Sequence, residues 1–251
     1  MAPGGRTVRP ARGTPRCPQP KERIIDHAAT GAYDPAKVLA AAEDYARAEL
    51  GGDGGGHDWW HVHRVRNTAV ELAREEGADL FLTELAALLH DIADFKLSGS
   101  LTAGEEAARR FCTEQGLSSE DTAHVAGIVA DLSYKGAGVA DVPMSPEGRC
   151  VRDADRLDAM GAIGIGRAFA FGGKHTRAMW DPEEGSRPHA TEAEYRSAKG
   201  STIAHFHEKL LLLKDRMTTR AGAERAAHRH AVLTAFVDEF MQEWDGTDGR
   251  G

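Results

Sequence analysis

The sequence has 251 residues, of which 41% are hydrophobic and 28% are charged, and its formal net charge is −8 at pH 7. This composition is typical of a globular protein with its own core, and the negative charge disfavours binding to a nucleic-acid polymer. No apolar run approaches the roughly 18 residues of a membrane span, so no membrane partner is expected.

Helical patterns with short breaks predict an all-α fold, because no segment shows a sustained alternation of apolar and polar residues. A disordered tail is expected over residues 1–33, a single domain over 34–245 and a second tail over 246–251. Signals for helix starts and stops predict helices, in chain order, from Asp34 to the glycine run 51–56, from about Asp58 to Glu76, over 82–95, from Thr102, and from Ser118 or Ser119. Further along the chain they predict two helices around a glycine junction within 149–173, a polar connection over 172–195, one helix over 201–217 and one from about Ala221 to Trp244.

Two His-Asp pairs, His57-Asp58 and His90-Asp91, are candidates for a metal site. His90 and Asp91 lie near the end of the most apolar predicted helix, where a charged carboxylate is unfavourable unless a cation or several hydrogen bonds compensate it. Taken alone, the His90-Asp91 pair favours compensation by hydrogen bonds over a bound cation. On the preceding helix His57 and His61 face one side, and His61 is the better ligand because it lies inside the helix.

Three further oxygen donors follow in "RDADRLD", namely Asp153, Asp155 and Asp158. Asp155 and Asp158 are three residues apart and can share a helix face, whereas Asp153 points elsewhere if the helix has already begun. Arg152 and Arg156 alternate with these aspartates, so surface ion pairs are the alternative to a metal site.

The order His61, His90-Asp91, Asp155 resembles the H…HD…D signature of the HD-domain superfamily of metal-dependent phosphohydrolases. "HVHRV" is similar to its first-ligand helix, "LLHDIAD" to its central helix and "ADRLDA" to its last-ligand helix. "GHDWWHVHRV", "ALLHDIADFK", "RDADRLDAMGAIGIGRAF" and "STIAHFHEKLLLLKDRM" together resemble a bacterial subgroup of small stand-alone members, some of which are nucleotide pyrophosphohydrolases. The resemblance implies a helical bundle with a metal ion in a central cleft, held by His61, His90, Asp91 and Asp155. Asp153 stays the alternative to Asp155.

Two imidazoles and two carboxylates suit a six-coordinate divalent ion with open positions. One ion is expected, with Mn²⁺ favoured and Mg²⁺, Fe²⁺, Co²⁺, Ni²⁺ or Zn²⁺ as alternatives. A second ion, held by His57 or His124, is the less favoured arrangement.

Asp94 follows Asp91 by three residues and is the candidate for the general acid/base or for orienting the attacking water, with an ion pair to Lys96 as the alternative. Arg64 follows His61 by three residues and is expected to reach the substrate phosphate or to support Asp91. The remaining candidates for substrate binding, for which a solvated surface position is the alternative, are Lys96, Lys135, Arg156 and, at the start of its helix, His57.

The expected partner is a small phosphorylated substrate, most simply a nucleoside triphosphate split into monophosphate and pyrophosphate. A monophosphatase, or a phosphodiesterase for a cyclic nucleotide or dinucleotide, is the alternative enzyme. A regulatory protein that binds a nucleotide without turnover is the alternative from another class. The odd, widely spaced cysteines Cys17, Cys112 and Cys150 favour a reducing cytoplasm, and a homodimer is compatible with the sequence.

Overall fold

A computed structural model describes residues 33–51, 58–92, 102–132, 137–184, 191 and 200–248. All regular secondary structure within these ranges is helical, so the all-α prediction is confirmed. The helices are α1 (Pro35–Leu50), α2 (Trp59–Glu76), α3 (Leu80–Leu89), α4 (Ala103–Glu114), α5 (Ser119–Asp131), α6 (Pro146–Asp158), α7 (Gly161–Lys174), α8 (Thr202–Glu208), a 3₁₀ helix (Leu210–Arg216) and α9 (Arg220–Trp244).

Side-chain caps fix where the helices that carry the site begin. The carboxylate of Asp58 accepts a hydrogen bond from the backbone N–H of His61 at 2.9 Å, which starts α2 at Trp59 and places His61 in its first turn. Ser145 caps α6 in the same way, and Pro146 suits the first turn. α6 therefore starts before residue 149, where the sequence pattern placed it.

α3 is the central element, since eight of its ten residues are buried. It packs against α1, α2, α5 and α6, while α2 and α6 also pack along each other. Leu85 and Leu88 are fully buried at the centre, and burial of such side chains stabilises a fold by about 1.5–3 kcal/mol each. Because α2 and α6 both pack on α3, their inward-facing polar side chains meet close to its C-terminal end.

α3 ends at Leu89, so His90 and Asp91 lie in the turns that follow it. The prediction that the helix continues through both residues was wrong. These turns face the side on which α2 and α6 meet. No helix in the described ranges is both long and apolar enough to cross a membrane.

Residues 201–217, predicted as one helix, are divided at Lys209 into α8 and the 3₁₀ helix. Four consecutive leucines account for the change, because side chains three residues apart align in a 3₁₀ helix. Leu210 and Leu213 are both buried by this geometry, whereas the two leucines between them are only partly buried.

An aromatic cluster joins α7, α8 and α9. The ring of Phe206 is fully buried, and its centroid lies 6.2 Å from that of Phe169 and 5.6 Å from that of Phe236. At the other end of α7, Gly161 adopts φ 67°, a left-handed conformation that favours glycine. The sharp junction at Gly161 and the aromatic cluster together fix how α7 lies beside α6.

Candidate metal centre

Side chains from α2, from the turn after α3 and from α6 converge on one point. His61, His90 and Asp155 each offer one ligand atom, and these atoms all lie within 4.8 Å of one another. Nε2 of His61 is 3.3 Å from Nε2 of His90 and 3.4 Å from Oδ1 of Asp155. The carboxylate of Asp91 joins them, with Oδ2 3.7 Å from Nε2 of His61. The four residues that the resemblance implies as ligands are therefore neighbours in the fold.

Hydrogen bonds at the far side of each imidazole fix which nitrogen faces this point. Nδ1 of His61 lies 2.7 Å from Oδ2 of Asp158, and Nδ1 of His90 lies 2.8 Å from the carbonyl oxygen of Ala87. An ionised carboxylate and a carbonyl only accept hydrogen bonds, so each Nδ1 carries a proton and donates it. In the neutral rings both Nε2 atoms are then acceptors, and two lone pairs face each other. A divalent cation between them removes that repulsion, so the donor set fits a metal ion.

The electrostatics keep these groups in the forms that bind metal. Burial lowers the pKa of His61, and the opposing effects of the hydrogen bond to Asp158 and the charge of Asp91 do not restore it. Burial acts to raise the pKa of Asp155, but His61, His90 and Arg167 together hold it below its usual range. A neutral imidazole and an ionised carboxylate are the protonation states that metal ligation needs.

Asp158 is the group that orients His61. It is buried and accepts hydrogen bonds from Nδ1 of His61, from Nε and Nη2 of Arg64 at 2.7 and 3.0 Å, and from Nη1 of Arg167 at 3.0 Å. Burial acts to raise the pKa of Asp158, but the hydrogen bonds from His61 and Arg64 and the charge of Arg167 hold it well below its usual range. A carboxylate behind a ligating imidazole fixes its tautomer and increases its basicity.

The sequence indicated that Asp158 shares a face of α6 with Asp155, but it gave neither the role of Asp158 nor any role for Arg167. The spacing of three residues was the available signal for Asp158. For Arg167, only the packing of α7 beside α6 brings the guanidinium to the site.

Asp153 and Asp155 have different surroundings in the structure. Asp153 is fully buried and faces the start of α9, where it accepts hydrogen bonds from the backbone N–H and the hydroxyl of Thr218 and Thr219 at 2.7 to 3.1 Å. Only Asp155 of the two points toward His61.

Arg64 and Arg156 have partners in the structure that the sequence did not predict. Arg64 binds Asp158 and not Asp91. Arg156 is buried, and it donates from Nη1 to the carbonyl of Arg216 at 2.5 Å and from Nη2 to Asp141 at 2.6 Å. These internal partners hold the segment around Asp141 against the 3₁₀ helix. They do not support the predicted contact of Arg156 with substrate.

Among the other candidates, His124 pairs with Glu147, with Nε2 3.1 Å from Oε2, and this contact links α5 to the first turn of α6. Four sequence-derived candidates lie outside the described residues, and their roles stay predictions: His57, Asp94, Lys96 and Lys135.

Comparisons with known proteins agree with the family resemblance seen in the sequence. The family model described as "HD domain" matches residues 59–160, a range that contains all four converging residues. A Bacillus subtilis protein, YpgQ, described as uncharacterized, is 36% identical over 216 residues, which cover 84% of this chain and 98% of YpgQ.

This chain also covers nearly the whole length of several similar proteins whose structures have been solved. A Lactobacillus plantarum protein is 37% identical with a TM-score of 0.76, over 84% of this chain and 98% of the other. An HD-superfamily hydrolase from Bacillus thuringiensis is 38% identical with a TM-score of 0.66, over 84% and 99%. The structure of YpgQ in complex with ADP is 30% identical with a TM-score of 0.64, over 86% and 100%.

Proposed function

The chain belongs to the HD-domain family, as the resemblance in the sequence implied, and on this basis we propose that it is a divalent-metal-dependent phosphohydrolase acting on a nucleotide. The observation that carries the proposal is the 3.3 Å approach of two imidazole acceptors, His61 and His90. Together with Asp91 and Asp155 they offer two nitrogen and two carboxylate ligands to a single ion.

The mixed set of nitrogen and oxygen donors favours Mn²⁺, with Mg²⁺, Fe²⁺, Co²⁺, Ni²⁺ and Zn²⁺ as the alternatives. When bound, a divalent ion supplies Lewis acidity, which polarises a phosphoryl oxygen and lowers the pKa of water. The two ligand carboxylates offset its charge, so that a phosphate product is not held too tightly.

The protein's own side chains supply the remaining steps. Asp158 holds His61 in the tautomer that directs Nε2 into the site. Asp94, from its spacing after Asp91, is proposed to accept or deliver the proton that moves during hydrolysis. Lys96, Lys135 and His57 stay candidates for substrate contact on sequence grounds.

A nucleotide substrate is supported by the structure of YpgQ in complex with ADP, a relative that this chain covers completely. We propose hydrolysis of a nucleoside triphosphate to the monophosphate and pyrophosphate. The proposed setting is the reducing cytoplasm, with no nucleic-acid polymer and no membrane as partner. Burial raises the pKa of the thiols of Cys112 and Cys150 to about 12, which keeps both protonated and unreactive at neutral pH.

The test is a product assay with the metal-loaded protein. Purified protein is loaded with Mn²⁺, its metal content is measured by elemental analysis, and a panel of nucleoside mono-, di- and triphosphates and cyclic nucleotides is incubated with it. Monophosphate and pyrophosphate in equal amounts are expected. Orthophosphate would indicate a phosphatase, an opened cyclic nucleotide a phosphodiesterase, and bound but unchanged nucleotide a regulatory protein, and each of these would contradict the proposed reaction.

A further inference from the structure

The end of α6 that carries Asp158 is held by an arginine from α9. The guanidinium of Arg229 donates a hydrogen bond from Nη1 to the carbonyl oxygen of Leu157, the residue before Asp158. The last carbonyls of a helix have no partner within the helix and carry partial negative charge, so a cation stabilises this position. α9 packs on both α6 and α7, and Arg229 contacts α6 in its last turn.

The stem of Arg229 contacts the other side of the same junction. A Cβ atom added to Gly161 would lie 3.2 Å from Cβ and from Cγ of Arg229, so the backbone of Gly161 passes close against this side chain. Gly161 is the first residue of α7, and its left-handed conformation lets the chain turn between the two helices. One side chain therefore contacts the last turn of α6 with its guanidinium and the first residue of α7 with its stem.

This junction bears on the candidate metal centre through Asp158, the last residue of α6. Asp158 accepts hydrogen bonds from Arg167 on α7 and from Nδ1 of His61 on α2. The bond to His61 directs the other ring nitrogen, Nε2, toward the candidate ligands. A displacement of the end of α6 relative to its neighbours would lengthen both hydrogen bonds and release the ring of His61.

The setting of Arg229 differs from that of an ordinary surface arginine. Arg225, one turn earlier on α9, binds the exposed carboxylate of Glu75, whereas Arg229 is partly buried and donates to a backbone carbonyl. Burial lowers the pKa of Arg229, and the charge of Asp158 opposes this effect. A partly buried cation is costly unless nearby groups compensate it. Here the end of α6 and the charge of Asp158 provide compensation, so Arg229 is coupled to the carboxylate that orients His61.

We infer that Arg229 is a positioning residue of the candidate metal centre. It holds the carbonyl of Leu157 and packs on Gly161, which fixes the end of α6. Asp158 is thereby kept where it binds Nδ1 of His61 and directs Nε2 at the metal ion. The inference rests on the metal binding in the proposed function and needs no particular substrate. The hydrogen bond between His61 and Asp158 can also be followed by itself, apart from metal and substrate.

The experiment compares Arg229→Met with Arg225→Met. Methionine retains an apolar stem but has neither the N–H donors nor the charge, and Arg225→Met makes the same exchange one turn away, where it removes a contact with Glu75 on α2. Both variants should unfold at a lower urea concentration than the wild type. Only Arg229→Met should also weaken Mn²⁺ binding in a titration, by about tenfold, the lower end of the range for partners behind a metal ligand.

Proton NMR of the metal-free protein supplies a readout that a purely structural role would not change. In the wild type and in Arg225→Met, the Nδ1 proton of His61 should give a low-field signal that exchanges slowly with solvent, because it is bonded to the buried Asp158. In Arg229→Met the signal should exchange much faster. Arg229→Lys, which keeps the charge and a strong donor, should restore most of the Mn²⁺ affinity and of the signal.

Gly161→Ala provides a second arm that leaves Arg229 in place, and it carries the test if Arg229→Met does not fold. The added methyl group would press on the stem of Arg229, and φ 67° is unfavourable for alanine. Mn²⁺ binding should weaken, whereas Gly166→Ala, whose methyl group meets no atom within 4 Å, should match the wild type. In the double variant of Gly161 and Arg229 the loss should be smaller than the product of the two single losses, because both changes act on one contact.

Two results would overturn the inference. The first is an Arg229→Met protein that loses stability but keeps the wild-type Mn²⁺ affinity and the protected His61 signal, since Arg229 would then serve packing alone. The second is a folded Gly161→Ala protein with unchanged Mn²⁺ affinity.

The two proposals fail separately. A wild-type protein that binds Mn²⁺ with the support of Arg229 but hydrolyses no nucleotide would contradict the proposed function and leave the role of Arg229 in place. If Arg229→Met binds Mn²⁺ and hydrolyses triphosphates as the wild type does, the positioning role is wrong and the function stands.

Discussion

Nε2 of His61 and Nε2 of His90 face each other at 3.3 Å, while Nδ1 of each ring is held by an acceptor on the opposite side. Two acceptor lone pairs therefore face each other, and a cation between the rings, or a proton on one of them, removes their repulsion. Burial lowers the pKa of His61 and disfavours the proton. The local arrangement is unfavourable by itself and becomes favourable when a divalent ion binds.

The first prediction concerns His90→Ala. Removing one of the two facing nitrogens should abolish stoichiometric Mn²⁺ in elemental analysis, yet leave the metal-free protein as stable as the wild type within about 0.5 kcal/mol, because a repulsive contact disappears. Excess Mn²⁺ at about 100 times its Kd should stabilise the wild type by about 2.7 kcal/mol and should not stabilise the variant. Full metal content in His90→Ala would show that the ligand assignment is mistaken.

A second prediction separates the two neighbouring aspartates on α6. Asp153→Ala should lower the free energy of unfolding by about 2–4 kcal/mol, since it leaves the N–H groups of the partly buried Thr218 and the buried Thr219 without their acceptor. Asp155→Ala should leave the stability of the metal-free protein nearly unchanged but remove the metal. Urea denaturation of the metal-free variants, with elemental analysis alongside, distinguishes the two roles. The roles would have to be exchanged if Asp153→Ala lost metal and kept its stability.

The pair of His124 and Glu147 gives a prediction about pH. The hydrogen bond to Glu147 raises the pKa of His124 above its ordinary value of 6.5, so this stabilisation is complete below pH 6.5 and is lost as the pH rises through the folded value. Burial acts to raise the pKa of Glu147, but hydrogen bonds from His124 and from the backbone N–H of Asp79 lower it to about 2 from 4.5. Its contribution is therefore present above pH 4.5 and is lost as the pH falls toward 2.

Both contributions are complete only between pH 4.5 and 6.5. His124→Gln should therefore cost about 1 kcal/mol of stability at pH 5.5, a magnitude suited to a partly exposed ion pair, and much less at pH 8.5. Urea denaturation at the two pH values measures the difference. An equal loss at both would mean that charge on His124 is irrelevant to the fold.

A fourth prediction concerns the proposed proton-transfer residue. Asp94→Asn should keep the wild-type Mn²⁺ content and lower kcat by about 10²- to 10⁴-fold, the range associated with a lost general acid or base. Single-turnover assays with the triphosphate identified in the product assay provide the measurement. Unchanged turnover would remove Asp94 from the mechanism.

The sequence was sufficient for the fold class and for the four converging residues, because both depend on local patterns. Helix caps, glycine stops and apolar stripes mark the helices, and the order of His61, His90, Asp91 and Asp155 carries the family resemblance. What it could not give was the contact of Arg167 with Asp158. That contact depends on the angle between α6 and α7, which is set by the left-handed Gly161 and by aromatic rings more than thirty residues away in the chain.

The same limit explains the interpretations that differ from the structure. Arginine is a residue type that commonly binds phosphate, and only the fold shows that the guanidinium of Arg156 donates hydrogen bonds to Asp141 and to a backbone carbonyl. The break at Lys209 was missed because leucine is a good helix former, and the demand to bury two of four consecutive leucines overrides that preference. In both cases tertiary packing decides between alternatives that the sequence alone leaves equal.

α6 places three carboxylates in three different settings: Asp153 at the start of α9, Asp155 among the candidate ligands and Asp158 behind His61. A slip of this helix by a single residue would rotate it by about 100° and would misalign all three at once. The packing that anchors Asp153 at the start of α9 therefore also aligns Asp155 and Asp158 at the candidate metal centre.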